Sequence, residues 1–123
     1  MRWNKARKSF LAAAVALALS GSTGQAMPTG GVVDTGSVAG LVGGTVNAPS
    51  VINWNDFSIA SGETLHFDLN ASVLNRVTGG NISEIMGNLM AKEHPHTWAN
   101  PSFLLVNPNG IVVGNGAQIN VPN

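Results

Sequence analysis

The chain has 123 residues with no cysteine, 15 glycines and only 10% charged residues, which supports one small domain and excludes disulfide or thiol chemistry. Its formal net charge of zero hides an asymmetry: Arg2, Lys5, Arg7 and Lys8 all precede residue 27, and beyond it only Arg76 and Lys92 stand against all six acids, a net charge of −4. Such a body excludes nucleic acid as a partner, because neutralising phosphates takes clustered lysine and arginine.

Residues 1–26 form a secretory signal peptide and stand outside the fold. Residues 1–8 are a cationic n-region, residues 10–19 an uncharged apolar h-region, and Gly24 and Ala26 occupy the −3 and −1 positions of a cleavage site. The apolar run is about half of the roughly 20 residues that a membrane span requires. Cleavage is expected after Ala26, leaving a mature domain of residues 27–123 that begins at Met27.

The body reads as strands and turns. Residues 27–50 are rich in Gly, Thr, Ser, Val and Pro. Short, weakly patterned strands are expected at Val32-Val33, Val38, Leu41-Val42 and Val46, between glycine breaks, and glycine together with β-branched residues disfavours helix. From Val51 the pattern sharpens. Ile52, Trp54, Phe57 and Ile59 alternate with polar residues, with a slip near Asp56, and Ser61-Gly62 makes a corner. Leu65, Phe67 and Leu69 alternate with Thr64, His66 and Asp68 as in a half-buried strand. Val73 and Leu74 lead into Asn75-Arg76-Val77, and Thr78-Gly79-Gly80-Asn81 turns the chain. Residues 82–91 fit either a bulged strand or a helical turn, and residues 92–101 read as a loop.

The richest stretch comes last. Phe103-Leu104-Leu105-Val106 and Ile111-Val112-Val113 flank Asn107-Pro108-Asn109-Gly110, which has a suitable residue for every slot of a type I turn. Asn107 can cap with its side chain, Pro108 presets the second position, Asn109 tolerates the third, and Gly110 takes positive φ. Gly114-Asn115-Gly116 repeats the logic before the final run to Val121. Strands this short do not stand alone in water. They make sense as rungs of a non-repetitive β-solenoid. A sandwich would look similar, but corners of Asn and Gly rather than long loops, with Asn able to stack in ladders, favour the solenoid.

Five blocks in order carry a resemblance: residues 27–31, 52–59, 62–67, 73–81 and 103–121. Together they resemble the amino-terminal secretion domain of two-partner secretion exoproteins, the filamentous haemagglutinin and haemolysin-like proteins of Gram-negative bacteria. Asn107-Pro108-Asn109-Gly110-Ile111 matches one of the family's two signature Asn-Pro motifs. The run through Asn75, Arg76, Thr78, Gly79, Gly80 and Asn81 matches a second typical stretch. The resemblance implies an all-β, right-handed parallel β-helix with capping and extra-helical β elements. It implies export by the general secretory machinery, then recognition by an outer-membrane β-barrel transporter through that transporter's periplasmic domains. Adhesion, haemolysis or contact-dependent toxicity, and any host-cell surface ligand, would belong to a longer product. The second Asn-Pro signature is not found, and 92–98 replaces a short turn. The family's domain continues for further coils beyond the position of Asn123, so the β-helix is expected to be incomplete at its C-terminal end.

Candidate chemistry is thin, and no cofactor or metal is implied. His94 and His96 flank Pro95, with His66 elsewhere, whereas a metal site needs three or four converging ligands. Asp56, Glu63 and Asp68 are the carboxylates nearest to one another, but Asp56 falls in a turn and Asp68 points outward from its strand, against a glycosidase pair. There is no Gly-x-Ser-x-Gly nucleophile elbow. Arg76 is expected to be structural, buried against Asp56 or Glu84, whereas an exposed position would suit contact with an acidic patch on the transporter. The reading is a non-enzymatic secretion and targeting module. The alternative, an adhesin binding host glycan or protein directly, needs an exposed aromatic row, and with Trp54 and Trp98 the only tryptophans after the cleavage site no row is visible.

Overall fold

A computed structural model describes residues 26–93 and 100–122. The signal segment up to residue 25 and the histidines of the 94–99 segment, with Trp98, lie outside the described residues. The described body is all strand and turn. In chain order the strands are β1 (Val32–Ala39), β2 (Thr45–Trp54), β3 (Thr64–Leu69), β4 (Val73–Val77), β5 (Ser83–Ile85), β6 (Asn88–Glu93), β7 (Phe103–Val106), β8 (Ile111–Val113) and β9 (Gln118–Asn120).

The pairing is parallel and coil upon coil. On the first face Thr45 and Val46 of β2 pair with β3, β3 with β6, and β6 with β9. On the second face the other end of β2, from Ser50 to Trp54, pairs with β4, and β4 with β7. On the third, Ile59 bridges to Ile85 and β5 pairs with β8. This is the expected parallel β-helix. Its coils differ in length: Arg76 stacks on Asn53 over 23 residues, Asn88 on Thr64 over 24, and Ser102 on Ser72 over 30. That spread is why no exact sequence repeat exists.

β1 replaces the separate short strands expected at Val32-Val33 and Val38, and Leu41-Val42, expected as another, lies in the bend and turn that follow it. β1 is a continuous eight-residue strand running antiparallel to β2, with register shifts along its length. It caps the side of the stack and is exposed for most of its length. The ambiguous residues 82–91 are strands β5 and β6, without a helical turn. The corner between them turns at Gly87, where a Cβ would collide with the carbonyl oxygens of Ala60 and Glu63. The expected loop over 92–101 begins later than its composition suggests, because β6 continues through Lys92 and Glu93, paired with Asp68 and Leu69.

The core fills the inside of the coils. The alternation of β3 is read out directly: Leu65, Phe67 and Leu69 are buried and Thr64, His66 and Asp68 exposed. Ile52, Trp54, Phe57 and Ile59 are all buried, so the slip near Asp56 is the corner between the second and third faces. Phe67 packs on Phe103 with ring centroids 5.5 Å apart, and Trp54 meets Phe57 edge-on at 5.6 Å.

Candidate functional site: a column of stacked turns

The corner after the second face recurs once per coil, and its turns lie on one another. The uppermost is Asn107-Pro108-Asn109-Gly110. The Gly110 amide donates to the Asn107 carbonyl at 3.0 Å, closing the turn. Asn107 Oδ1 accepts from the Asn109 amide at 2.9 Å, an Asx cap. Gly110 has φ of +120°, a left-handed value that favours glycine.

The Asn107 side chain also reaches to the coil before. Its Nδ2 donates to the Asn81 carbonyl at 3.0 Å and to Ser83 Oγ at 2.9 Å. Asn109 Nδ2 donates to the Gly79 carbonyl at 2.8 Å. Asn81 in turn donates through Nδ2 to Asp56 Oδ1 at 3.0 Å, and Asn55 Nδ2 to Asp56 Oδ2 at 3.1 Å. At the base, the Thr29 amide donates to the Asp56 carbonyl at 2.9 Å. The Thr78-Gly79-Gly80-Asn81 turn is seated closely enough that a Cβ on Gly79 would collide with the Asn55 carbonyl. The two motif stretches of the resemblance are therefore one structure, joined by side-chain amides.

Behind this column stands a buried polar hub. Asn75 has no exposed surface. Its Oδ1 accepts from Trp54 Nε1 at 2.9 Å, and its Nδ2 donates to the Leu104 carbonyl at 3.1 Å. Three coils are tied by one amide, with the tryptophan N–H satisfied inside the core. Ser83 is likewise fully buried and is the anchor for Asn107. In the sequence Asn75 stands out as a motif residue and Trp54 as an apolar strand residue, neither with this role, and Ser83 does not stand out at all. Parity carried the signal: Asn75 lies in phase with Val73 and Val77, and Ser83 with Ile85.

Arg76 corrects its expected pairing. It is not buried against Asp56 or Glu84. It lies on the outer face, where Nε donates to Asn53 Oδ1 at 2.9 Å and Nη2 sits 3.6 Å from Asp34 Oδ2 of β1. Both side chains of that ion pair are about half exposed. The opposite corner carries its own polar ladder: Asn70 Nδ2 donates to Asn47 Oδ1 at 3.2 Å, and the Ser102 amide to Ser72 Oγ at 2.9 Å.

The remaining candidates do not converge. Asp56 is bound into the turn column, whereas Asp68 faces His66, 3.5 Å away. Among the described residues no group of three or more His, Cys, Asp or Glu side chains is placed to hold a metal ion. Trp54 is buried in the core and contributes nothing to a surface aromatic row.

A family model described as the TPS secretion domain matches residues 16–123. The chain belongs to the two-partner secretion domain family. Two heme/hemopexin-binding proteins of Haemophilus influenzae are 41% and 38% identical over 73 residues, 57% of this chain in each case. The chain spans only 7% of the length of these relatives. The crystal structure of the HMW1 secretion domain from Haemophilus influenzae superposes with a TM-score of 0.61 at 30% identity, covering 76% of this chain and 25% of that one. The two-partner secretion domain thus accounts for the parallel coils, and the chain is a secretion module of an exported exoprotein.

Proposed function

We propose that the secretion domain is handed from the general secretory machinery to a cognate outer-membrane β-barrel transporter, whose periplasmic domains read the column of stacked turns. The signal peptide of residues 1–26 starts this route, with cleavage after Ala26. Domain 27–123 then presents the column on its surface. The observation that supports this reading is the direct seating of the Asn107-Pro108-Asn109-Gly110 turn on the Gly79-Gly80-Asn81 turn. Pro108, Asn109, Gly80 and Asn81 are exposed around this junction, and Ile111 leaves it with 44% of its surface open.

A surface of this kind suits recognition by shape and backbone. The amide column fixes the turns relative to one another, so a partner meets a preorganised surface and loses little to ordering it. The role needs no catalytic residue and no cofactor, and the module is proposed as non-enzymatic. Adhesion, haemolysis or binding of a host ligand is proposed to belong to the rest of the exoprotein.

Capture of the exported chain by the transporter's periplasmic domains tests this reading. Asn109→Ala should weaken capture by about tenfold while leaving the β-rich circular dichroism spectrum intact. Unchanged capture by a folded Asn109→Ala chain would place recognition elsewhere on the molecule.

A further inference from the structure

The start of the described chain lies along the base of the turn column. The Thr29–Asp56 bridge is antiparallel, and the Ala60 amide donates to the Ala26 carbonyl at 2.9 Å. Pro28 is buried and Met27 packs against the core. The backbone around residues 26 and 27 is therefore held to the body.

Ala26 and Met27 share an open groove with Ser58, Asp56 and Glu84. The two acids come from successive coils. Asp56 accepts only from neutral donors, Thr29, Asn55 and Asn81. The close contacts between basic and acidic side chains among the described residues use Asp34 and Asp68. Neither Asp56 nor Glu84 has a cationic partner among the described residues. Two carboxylates thus line one groove in a body of net charge −4 beyond residue 26.

We infer that the cation this groove receives is the α-ammonium of Met27, created when the signal peptide is removed. The inference rests on the proposed cleavage after Ala26. Hydrolysis of the Ala26–Met27 amide consumes one water, leaves a carboxylate on Ala26, which departs with the signal peptide, and gives Met27 a new ammonium group. The groove loses the Ala26 carbonyl as acceptor for the Ala60 amide and gains a positive charge on a lining residue it shares with two acids. In the uncleaved precursor the same nitrogen is a neutral amide and both carboxylates stay uncompensated. Removal of the signal peptide therefore tightens the base of the column, so that the site proposed to be read by the transporter is firmest after processing.

Thermal unfolding of the exported, processed chain tests this, with and without acetylation of its α-amine. Near pH 6.5 the α-amine, with a reference pKa of roughly 8, reacts ahead of lysine at about 10.4, and mass spectrometry of the first peptide reports both the starting residue and the modification. Acetylation should lower the midpoint by about 2–4 °C. In Glu84→Gln, and in the Asp56→Asn/Glu84→Gln pair, the same acetylation should shift it by less than about 1 °C. No shift in the parent, or an equal shift in parent and variants, overturns the inference. A first peptide that starts elsewhere than Met27 overturns the cleavage reading alone. The ion pair is then decided on a chain freed by a protease that leaves Met27 as its first residue, with the same acetylation and the same variants.

Discussion

Ile85 and Val113 occupy the same register position on adjacent coils, yet Ile85 is 1% exposed and Val113 53%. Leu89 and Ile119 repeat the contrast on the first face, at 3% and 47%. The inner coils and the last described coil pair in the same parallel register and have the same kind of turns. What differs is the presence of a neighbour above. In a β-helix an inward-pointing residue is buried by the next coil, so burial belongs to the stack and not to the strand. The last coil also leaves one edge of β7, β8 and β9 without a described strand beside it, the kind of edge that accepts further pairing.

Paired substitutions across this contrast should break it or sharpen it. Ile85→Ala removes apolar volume from the closed core and should cost about 3 kcal/mol in urea unfolding, whereas Val113→Ala at the matching position should stay within about 0.5 kcal/mol. Equal costs would mean that the two coils are equally closed. A second pair compares two asparagines. Asn75→Ala leaves the Trp54 N–H without its acceptor in the core and should cost about 2–3 kcal/mol, while Asn115→Ala on the exposed last turn should be nearly neutral. Near-ultraviolet circular dichroism of the Trp54 environment would report the first directly.

Smaller effects are expected at the surface of the column. Gly110→Val places a β-branched residue at φ of +120° and should lower stability by about 1–2 kcal/mol. Arg76→Ala should cost less than about 1 kcal/mol, because its ion pair with Asp34 is half exposed and screened by solvent. A loss of several kcal/mol on that substitution would mean that β1 is held to the stack chiefly through Arg76.

The sequence was most legible where side chains face a packed interior. The alternation of β3 and of Ile52, Trp54, Phe57 and Ile59, and the Asn-Gly corners, follow from strand period and turn chemistry, and they point to the parallel coils. β1 was hidden because it lies outside the coils, with little apolar period to read and Gly36 at φ of +99° within it. The pairing of Arg76 is illegible for the same reason: its partner Asp34 sits on that strand, and an antiparallel register with shifts is not written in local pattern. Residues 82–91 were ambiguous because Gly87 reads as a helix breaker or a bulge, whereas its actual constraint is the close approach of two carbonyls from the preceding coil. The column itself was half legible. Asn107 and Gly110 announce a turn, but the bonds from Asn107 and Asn109 to residues 79–83 exist only once coils of unequal length are stacked. For that reason Asn55 belongs to the base of the signature turn through Asp56, whereas Asn120, exposed on β9, stands outside the column.

The most direct measurement is secretion of the exoprotein by cells that also produce its transporter, comparing Asn107→Ala, Asn109→Ala and Asn120→Ala with the parent, each with its thermal midpoint. Asn107→Ala and Asn109→Ala should reduce the secreted amount several-fold, with Asn109→Ala doing so at a nearly unchanged midpoint, while Asn120→Ala should be secreted like the parent. Parental secretion by both column variants would contradict the central claim that the stacked turns are what the transporter recognises.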